Sequence, residues 1–172
     1  IIVSDHGMEN TDIDRVVLID RYIDLSKFSV SFGPTVTALN SVSSNKNKIS
    51  ELEEIEFLSI YSKNNIPNKY HYKNEDMPDY LLVAESGWFI TTSDRLNKNE
   101  FPLGMHGYDP SLNNMHGIFI AKGPSFNKGI SIESLNSINV YPLICKIHDI
   151  EPFKIEGYEI NWDGDQIDKM IR

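Results

Sequence analysis

The chain has 172 residues, 24% of them charged and 40% hydrophobic, enough for one sizeable core, and no apolar run approaches the roughly 18 residues of a membrane-spanning helix. A net charge of -9 and a pI near 4.9 exclude a binder of nucleic-acid backbones, which needs a basic surface to displace counterions. An anionic ligand would have to be held by something locally positive, and in an acidic protein a metal ion fills that role.

Ile1 to Ser4 reads as a strand apolar enough to be covered on both faces at the centre of a parallel sheet, running into the tight turn Asp5-His6-Gly7-Met8. With no starting Met or basic leader before it, the chain is expected to begin in mid-fold. Val16 to Ile23 and Phe28 to Phe32 are two further expected strands, and Ser41 to Lys48 is a polar surface loop. Leu52, Ile55, Phe57, Leu58 and Tyr61 follow helical spacing behind Ser50, which predicts an amphipathic helix over 49–64, stopped by Pro67.

Tyr80 to Ala84 and Trp88 to Thr92 read as strands joined into a hairpin by Glu85-Ser86-Gly87. Ile118 to Ala121 is a short strand ended by Gly123-Pro124, and Val140 to Ile147 a helix ending near Asp149, with His148 at its C-terminal end and Cys145 a buried free thiol. The tail from Glu151 carries Trp162-Asp163-Gly164-Asp165, which lacks the spacing of a calcium loop and reads as a solvated, irregular segment. Strands mixed with helices, without repeats or a dividing linker, make residues 1–172 a single α/β unit with a mixed sheet and flanking helices.

Two constellations carry chemistry. Asp5-His6 places a carboxylate and an imidazole at the C-terminal end of a strand, where open α/β sheets hold their ligands, and Gly7 lets the backbone turn sharply. Such oxygen and nitrogen donors suit zinc; for an isolated pair, a capping Asp beside a surface His is the commoner arrangement. In Gly104-Met105-His106-Gly107-Tyr108-Asp109, two glycines flank a histidine, so the backbone can approach a bound ion closely. Asp109 either orients this loop or accepts a hydrogen bond from a metal-bound imidazole, and Tyr108 anchors the loop.

Taken together, Ile2-Val3-Ser4-Asp5-His6-Gly7-Met8, the run FPLGMHGYD over 101–109 and MHGIFIAKGPSF over 115–126 resemble, in order, three motifs of the nucleotide pyrophosphatase/phosphodiesterase family within the alkaline-phosphatase superfamily. His71-Tyr72, Pro78 to Ala84, Gly87-Trp88 and Asn139 to Cys145 are similar to the stretches between and after them. The resemblance implies a partial alkaline-phosphatase-like fold, the C-terminal part of the catalytic domain. It also implies two divalent ions, taken as zinc, with Asp5 and His6 matching ligands of one and His106 a ligand of the other. The other ligands and the Thr or Ser nucleophile match family positions before the first motif, so the 172 residues alone are expected to be inactive.

The reaction implied is attack by a hydroxyl on a phosphodiester or pyrophosphate phosphorus, with a covalent phospho-enzyme that water hydrolyses. Of the hydroxyls here, Ser4 belongs to the first strand, and Thr91, Thr92 and Ser93 have no base or metal partner at useful spacing. His71, between two tyrosines, either contacts substrate or packs beside the rings; His116 is a surface residue. The implied partners are a nucleotide-like or other phosphodiester small molecule and the upstream half of the domain, with no nucleic-acid duplex. Without that half, an exposed sheet edge would favour self-association. The family implies an extracellular, lumenal or membrane-anchored location, although this chain has one cysteine and no Asn-x-Ser/Thr acceptor. The alternatives are a phosphomonoesterase or phosphoethanolamine transferase of the same superfamily, and a non-catalytic module with a decayed site.

Overall fold

The computed structural model of the protein describes residues 1–43, 49–70, 72, 74–98, 101–153 and 164–172. In chain order the strands are β1 (Ile2–Val3), β2 (Glu9–Asn10), β3 (Val16–Leu18), β4 (Phe28–Ser31), β5 (Val36–Ser41), β6 (Leu58–Ser62), β7 (Tyr80–Ala84) and β8 (Phe89–Thr91), followed by helix α1 (Ser93–Lys98). Strands β9 (Gly104–Met105) and β10 (Phe119–Ile120) and helices α2 (Val140–Ile147) and α3 (Gly164–Met170) complete the chain. By contact the molecule divides into two compact units, His6–His116 and the pair of segments Ile1–Asp5 and Gly117–Arg172.

The unit His6–His116 is built on an antiparallel sheet in the order β4-β5-β7-β6. Alternation along the strands gives it two apolar faces. Phe28, Leu39, Leu58, Leu82 and Ala84 point to one core with Val17, Ile19, Ile90 and Leu52, while Leu81 and Val83 point to another with Ile66 and Met77. Each fully buried leucine contributes about 1.5–3 kcal/mol. Strand β3 pairs in parallel with β8, and β2 pairs antiparallel with β9.

Four local readings change in this unit. The strand expected over Val16 to Ile23 ends at Leu18, and Ile19–Arg21 form a 3-10 turn. No helix forms over 49–64: Leu52, Ile55 and Leu58 each donate to the carbonyl three residues earlier, and the chain then runs as β6 against β7. Successive three-residue turns bury Ile49, Leu52 and Leu58 together, so a spacing that imitates a helix is satisfied without one. The Glu85-Ser86-Gly87 turn forms, with Trp88 N–H donating to Glu85 and Gly87 at φ +83°, but its strands are not a hairpin. β7 joins the four-stranded sheet while β8 pairs with β3. Residues 36–40, unassigned from sequence, are most of the inner strand β5, at whose start Thr37 Oγ1 donates to the Gly33 carbonyl.

In the other unit, β1 pairs antiparallel with β10; Phe119 packs against the core formed by Phe126, Leu143, Ile167 and Met170, while Ile2 and Ile120 are 63% and 56% exposed. The apolar run at Ile1 to Ser4 is thus a strand, but a two-stranded antiparallel ribbon rather than the covered centre of a parallel sheet. Helix α2 forms as expected, burying Leu143 and Cys145. It ends on His148, followed by Asp149 at φ 54°, and Ile150 N–H reaches back to the Cys145 carbonyl, a Schellman closure. In place of a solvated tail, 164–170 form α3, whose Ile167 and Met170 pack with Leu143 and Phe126. Trp162 and Asp163 lie outside the described residues.

Candidate metal centre

The β2–β9 ladder pairs Glu9 with Met105 and Asn10 with Gly104. In an antiparallel ladder, residues just before one strand lie beside residues just after its partner. Here that brings His6, before β2, onto His106, after β9: the two imidazoles stack with centroids 3.7 Å apart and planes 12° from parallel. Distant positions of two sequence motifs thereby meet in one unit. Asp5, exposed, directly precedes His6 in the chain.

Two glycines allow this. Gly7 donates its N–H to the Met115 carbonyl at 2.9 Å, and a Cβ there would lie 2.1 Å from the Asn114 carbonyl oxygen and 2.7 Å from that of His116. Only glycine lets these backbones approach so closely. Gly107 sits at φ +89°, and its absent Cβ would lie 2.7 Å from Thr35 Oγ1. That hydroxyl, on a side chain only 5% exposed, donates to the His106 carbonyl at 3.1 Å.

Imidazole nitrogens are donors of the kind that divalent ions of the zinc type take. His6 Nδ1 lies 2.7 Å from the Gly7 carbonyl, the contact that places the proton on Nδ1 and directs the Nε2 lone pair outward in metal-ligating histidines. Among the described residues no three His, Cys, Asp or Glu side chains converge into a group able to hold a metal.

The loop after His106 is tied down on both sides. Tyr108 is 4% exposed and donates its hydroxyl to the Trp88 carbonyl at 3.0 Å; burial, and after it the charge of Glu9, pushes its phenol up to about 12. It is the anchor expected. Asp109 Oδ1 accepts from the backbone N–H (3.0 Å) and hydroxyl (2.7 Å) of Ser111, and Oδ2 pairs with the Lys69 ammonium. The hydrogen bond from Lys69, more than any other cause, holds this carboxyl down to about 2. On the β2 side, Glu9 accepts from Ser86 Oγ at 3.1 Å and from the Asn114 amide.

The remaining residues weighed from sequence lie elsewhere. His71 is outside the described residues, His116 is exposed, and His148 caps the C-terminus of α2. Ser4 Oγ accepts from Ile118 N–H at 2.8 Å, Thr91 and Thr92 are buried, and Thr92 Oγ1 accepts from Arg95 N–H at the start of α1. Thr35 and Lys69 went unrecognised in the sequence, because a hydroxyl reaching a backbone carbonyl and a lysine reaching a distant Asp leave no local pattern.

A family model described as type I phosphodiesterase / nucleotide pyrophosphatase matches residues 1–109. The bis(5'-adenosyl)-triphosphatase ENPP4 of Bos taurus is 37% identical over 161 residues, 91% of this chain and 34% of its own length. Ectonucleotide pyrophosphatase/phosphodiesterase family member 5 of Homo sapiens is 35% identical over 163 residues, 91% of this chain and 33% of its own. The chain therefore spans about a third, 34% and 33%, of these curated relatives. Among solved structures, murine ectonucleotide pyrophosphatase/phosphodiesterase 5 superposes with a TM-score of 0.85 at 31% identity, covering 98% of this chain and 44% of that one. An inactive form of the murine protein in complex with AMP matches with a TM-score of 0.85 at 29% identity. The α/β arrangement is accordingly that of part of an alkaline-phosphatase-like domain. The Ser-Asp-His-Gly-Met and His-Gly-Tyr-Asp motifs both fall inside the matched span, and the chain belongs to the type I phosphodiesterase/nucleotide pyrophosphatase family.

Proposed function

We propose that this chain supplies Asp5 and His6 to one divalent ion, and His106 to a second, in a two-zinc centre that hydrolyses phosphodiester or pyrophosphate bonds. The observation that carries the proposal is the stack of His6 on His106, two imidazoles from separate motifs at 3.7 Å. When bound, such ions neutralise charge on the phosphoryl oxygens and on the attacking and departing oxygens. The chain's own part is orientation: Gly7 and the Nδ1 contact fix the His6 ring, while Thr35, Tyr108 and the Lys69–Asp109 pair fix the segment bearing His106. Asp109 acts here by tethering the loop.

The substrate proposed is a nucleotide-like phosphodiester or pyrophosphate. In support, one relative is named a bis(5'-adenosyl)-triphosphatase and a structural neighbour is titled as a complex with AMP. The Ser4 hydroxyl accepts in the β1–β10 ribbon and that of Thr92 at the start of α1; by the family resemblance the nucleophile is assigned to positions outside these 172 residues, and the chain alone is proposed to be inert. A location outside the cytosol is proposed on the family resemblance; none of the described helices is long and apolar enough to cross a membrane.

The test is zinc-dependent hydrolysis of a chromogenic nucleotide phosphodiester by this chain and by an upstream-extended protein, each with and without His106→Ala. Activity confined to the extended protein with His106 intact is the expected outcome. Zinc-dependent activity in the short chain, or full activity of His106→Ala, would overturn the assignment.

A further inference from the structure

Within the unit His6–His116 one carboxylate touches the supports of both histidines. Glu9 stands on β2, three positions after His6, and its ladder partner is Met105, the residue before His106. Glu9 Oε1 accepts from the Asn10 N–H at 2.8 Å, while Oε2 accepts from the Ser86 hydroxyl at 3.1 Å and from the Asn114 amide. Asn114 Nδ2 also lies 3.4 Å from Ser86 Oγ, so the three side chains close a triangle. A carboxylate can only accept, which turns the NH2 end of Asn114 toward it. The Oδ1 end is buried and meets no donor among the described residues, so this amide is held from the Glu9 and Ser86 side alone.

Each arm of the triangle leads to one imidazole. Asn114 belongs to the 3-10 turn Asn113–Met115, whose last carbonyl accepts from the Gly7 N–H at 2.9 Å. That turn backs the peptide directly after His6, and His6 Nδ1 contacts the carbonyl of the same Gly7. Ser86 belongs to the turn from Glu85 to Trp88, whose last carbonyl accepts from the hydroxyl of Tyr108, two residues after His106. The Trp88 ring stacks on Phe57 with centroids 4.0 Å apart, so this arm ends on a packed base. Hydrogen bonds to a charged acceptor are stronger than neutral ones, and a shared acceptor couples the groups that meet on it.

We propose that Glu9 is a positioning residue common to both halves of the candidate metal centre, its carboxylate setting the separation and tilt of the His6 and His106 rings through Asn114 and Ser86. Its part in metal binding rests on the two-ion reading above. Glu9 acts through the two loops and not by contact with an ion.

The experiment uses the upstream-extended protein and reads zinc affinity by chelator competition, histidine ring resonances of the zinc-free form by NMR, and the urea midpoint as a measure of folding. Asn114→Asp sets two carboxylates against each other. It is expected to weaken zinc binding about tenfold, the lower end of the range for lost support of a metal ligand, and to change the ring-current shifts that His6 and His106 impose on each other. Adding Glu9→Gln restores a donor and an acceptor with their positions exchanged, and should recover most of both losses. Ser86→Ala and Asn114→Ala each cut one arm without adding charge, and so serve even where the charged variant does not fold. The first should move the His106 resonances more than those of His6, the second the reverse. Unchanged affinity and resonances in all three single variants, or a double variant no better than Asn114→Asp, would overturn the role of Glu9 and leave the phosphodiesterase reading standing. Absence of both zinc binding and zinc-dependent hydrolysis in the extended wild type would overturn that reading, and the role with it.

Discussion

The hydroxyl of Thr35 donates to the backbone carbonyl of His106 at 3.1 Å, from a position 71 residues earlier in the chain. The same oxygen fills the space where a side chain on Gly107 would begin. Thr35 itself is set by backbone bonds on either side, with Ala84 N–H donating to its carbonyl at 2.8 Å and Ile90 N–H to that of Pro34 at 2.7 Å. The four-stranded sheet thereby fixes the height of the loop that presents the His106 imidazole.

Thr35→Val keeps shape and removes this bond. Loss of a neutral hydrogen bond costs about 1 kcal/mol of stability, whereas loosening a group that orients a metal ligand typically costs 10–100-fold in metal affinity or activity. Urea unfolding of the variant should therefore shift little while zinc affinity of the upstream-extended protein, read by competition with a chromophoric chelator, falls about tenfold. Thr35→Ser, which restores the hydroxyl, should recover most of it. Equal losses in Val and Ser variants would show that the methyl group matters and the hydrogen bond does not.

Gly7 offers a sharper steric test on the other histidine. A methyl there meets carbonyl oxygens at 2.1 and 2.7 Å, both of them backbone, so no rotamer relieves the clash. Overpacking of this kind costs about 1–3 kcal/mol, and it must separate residue 7 from Asn114, carrying His6 with it. Gly7→Ala is expected to lower the unfolding midpoint and to change the ring-current shifts that His6 and His106 impose on each other in NMR spectra. Unchanged histidine resonances would mean that the stack does not depend on that close approach.

How much of this was readable in the sequence divides along physical lines. The motifs around His6 and His106 were legible because each is a short run with glycine beside the histidine, and the two rings do meet; α2 was legible because its 3.6-residue apolar period spans eight residues. The Ile49–Asn64 stretch failed because repeated three-residue turns bury Ile49, Leu52 and Leu58 as a helix would. The false hairpin failed because a turn reports on its own backbone, whereas the parallel partner of β8 is β3, more than 70 positions away in the chain. The α3 signal was present, with Ile167, Met170 and Ile171 at helical spacing, and was outweighed by the polar residues before it. Thr35 left no trace, since nothing local marks a hydroxyl whose partner is a remote carbonyl.

The ribbon of β1 and β10 exposes Ile2 and Ile120, which are paired across the ladder. Apolar strand edges of this kind associate with other chains. Light scattering of the 172-residue chain at rising concentration should report oligomers, and Ile120→Lys should reduce them by placing a charge at the edge without touching the buried core of either unit. A monomer at all concentrations, or oligomers indifferent to this substitution, would remove the ribbon as the associating surface.

The Lys69–Asp109 pair gives a pH dependence with a defined sign. Asp109 is held down to about 2, first by the hydrogen bond from Lys69, against about 3.9 for an unfolded Asp. A depressed carboxyl contributes stability that is present above the unfolded value and is lost as pH falls through the folded one. Lys69 is raised from its ordinary value, first by the same hydrogen bond, so at the alkaline end the contribution persists until pH rises through the folded value of Lys69. The Lys69 side chain is half exposed and that of Asp109 partly so, which keeps the effect small through solvent screening. The expected result is that wild type exceeds Asp109→Asn in urea midpoint by a constant margin from pH 5 to 9, and that the margin closes between about pH 4 and 2. A margin that stays open at pH 2 would mean the amide loses something other than charge, namely the Ser111 contacts that the carboxylate also accepts.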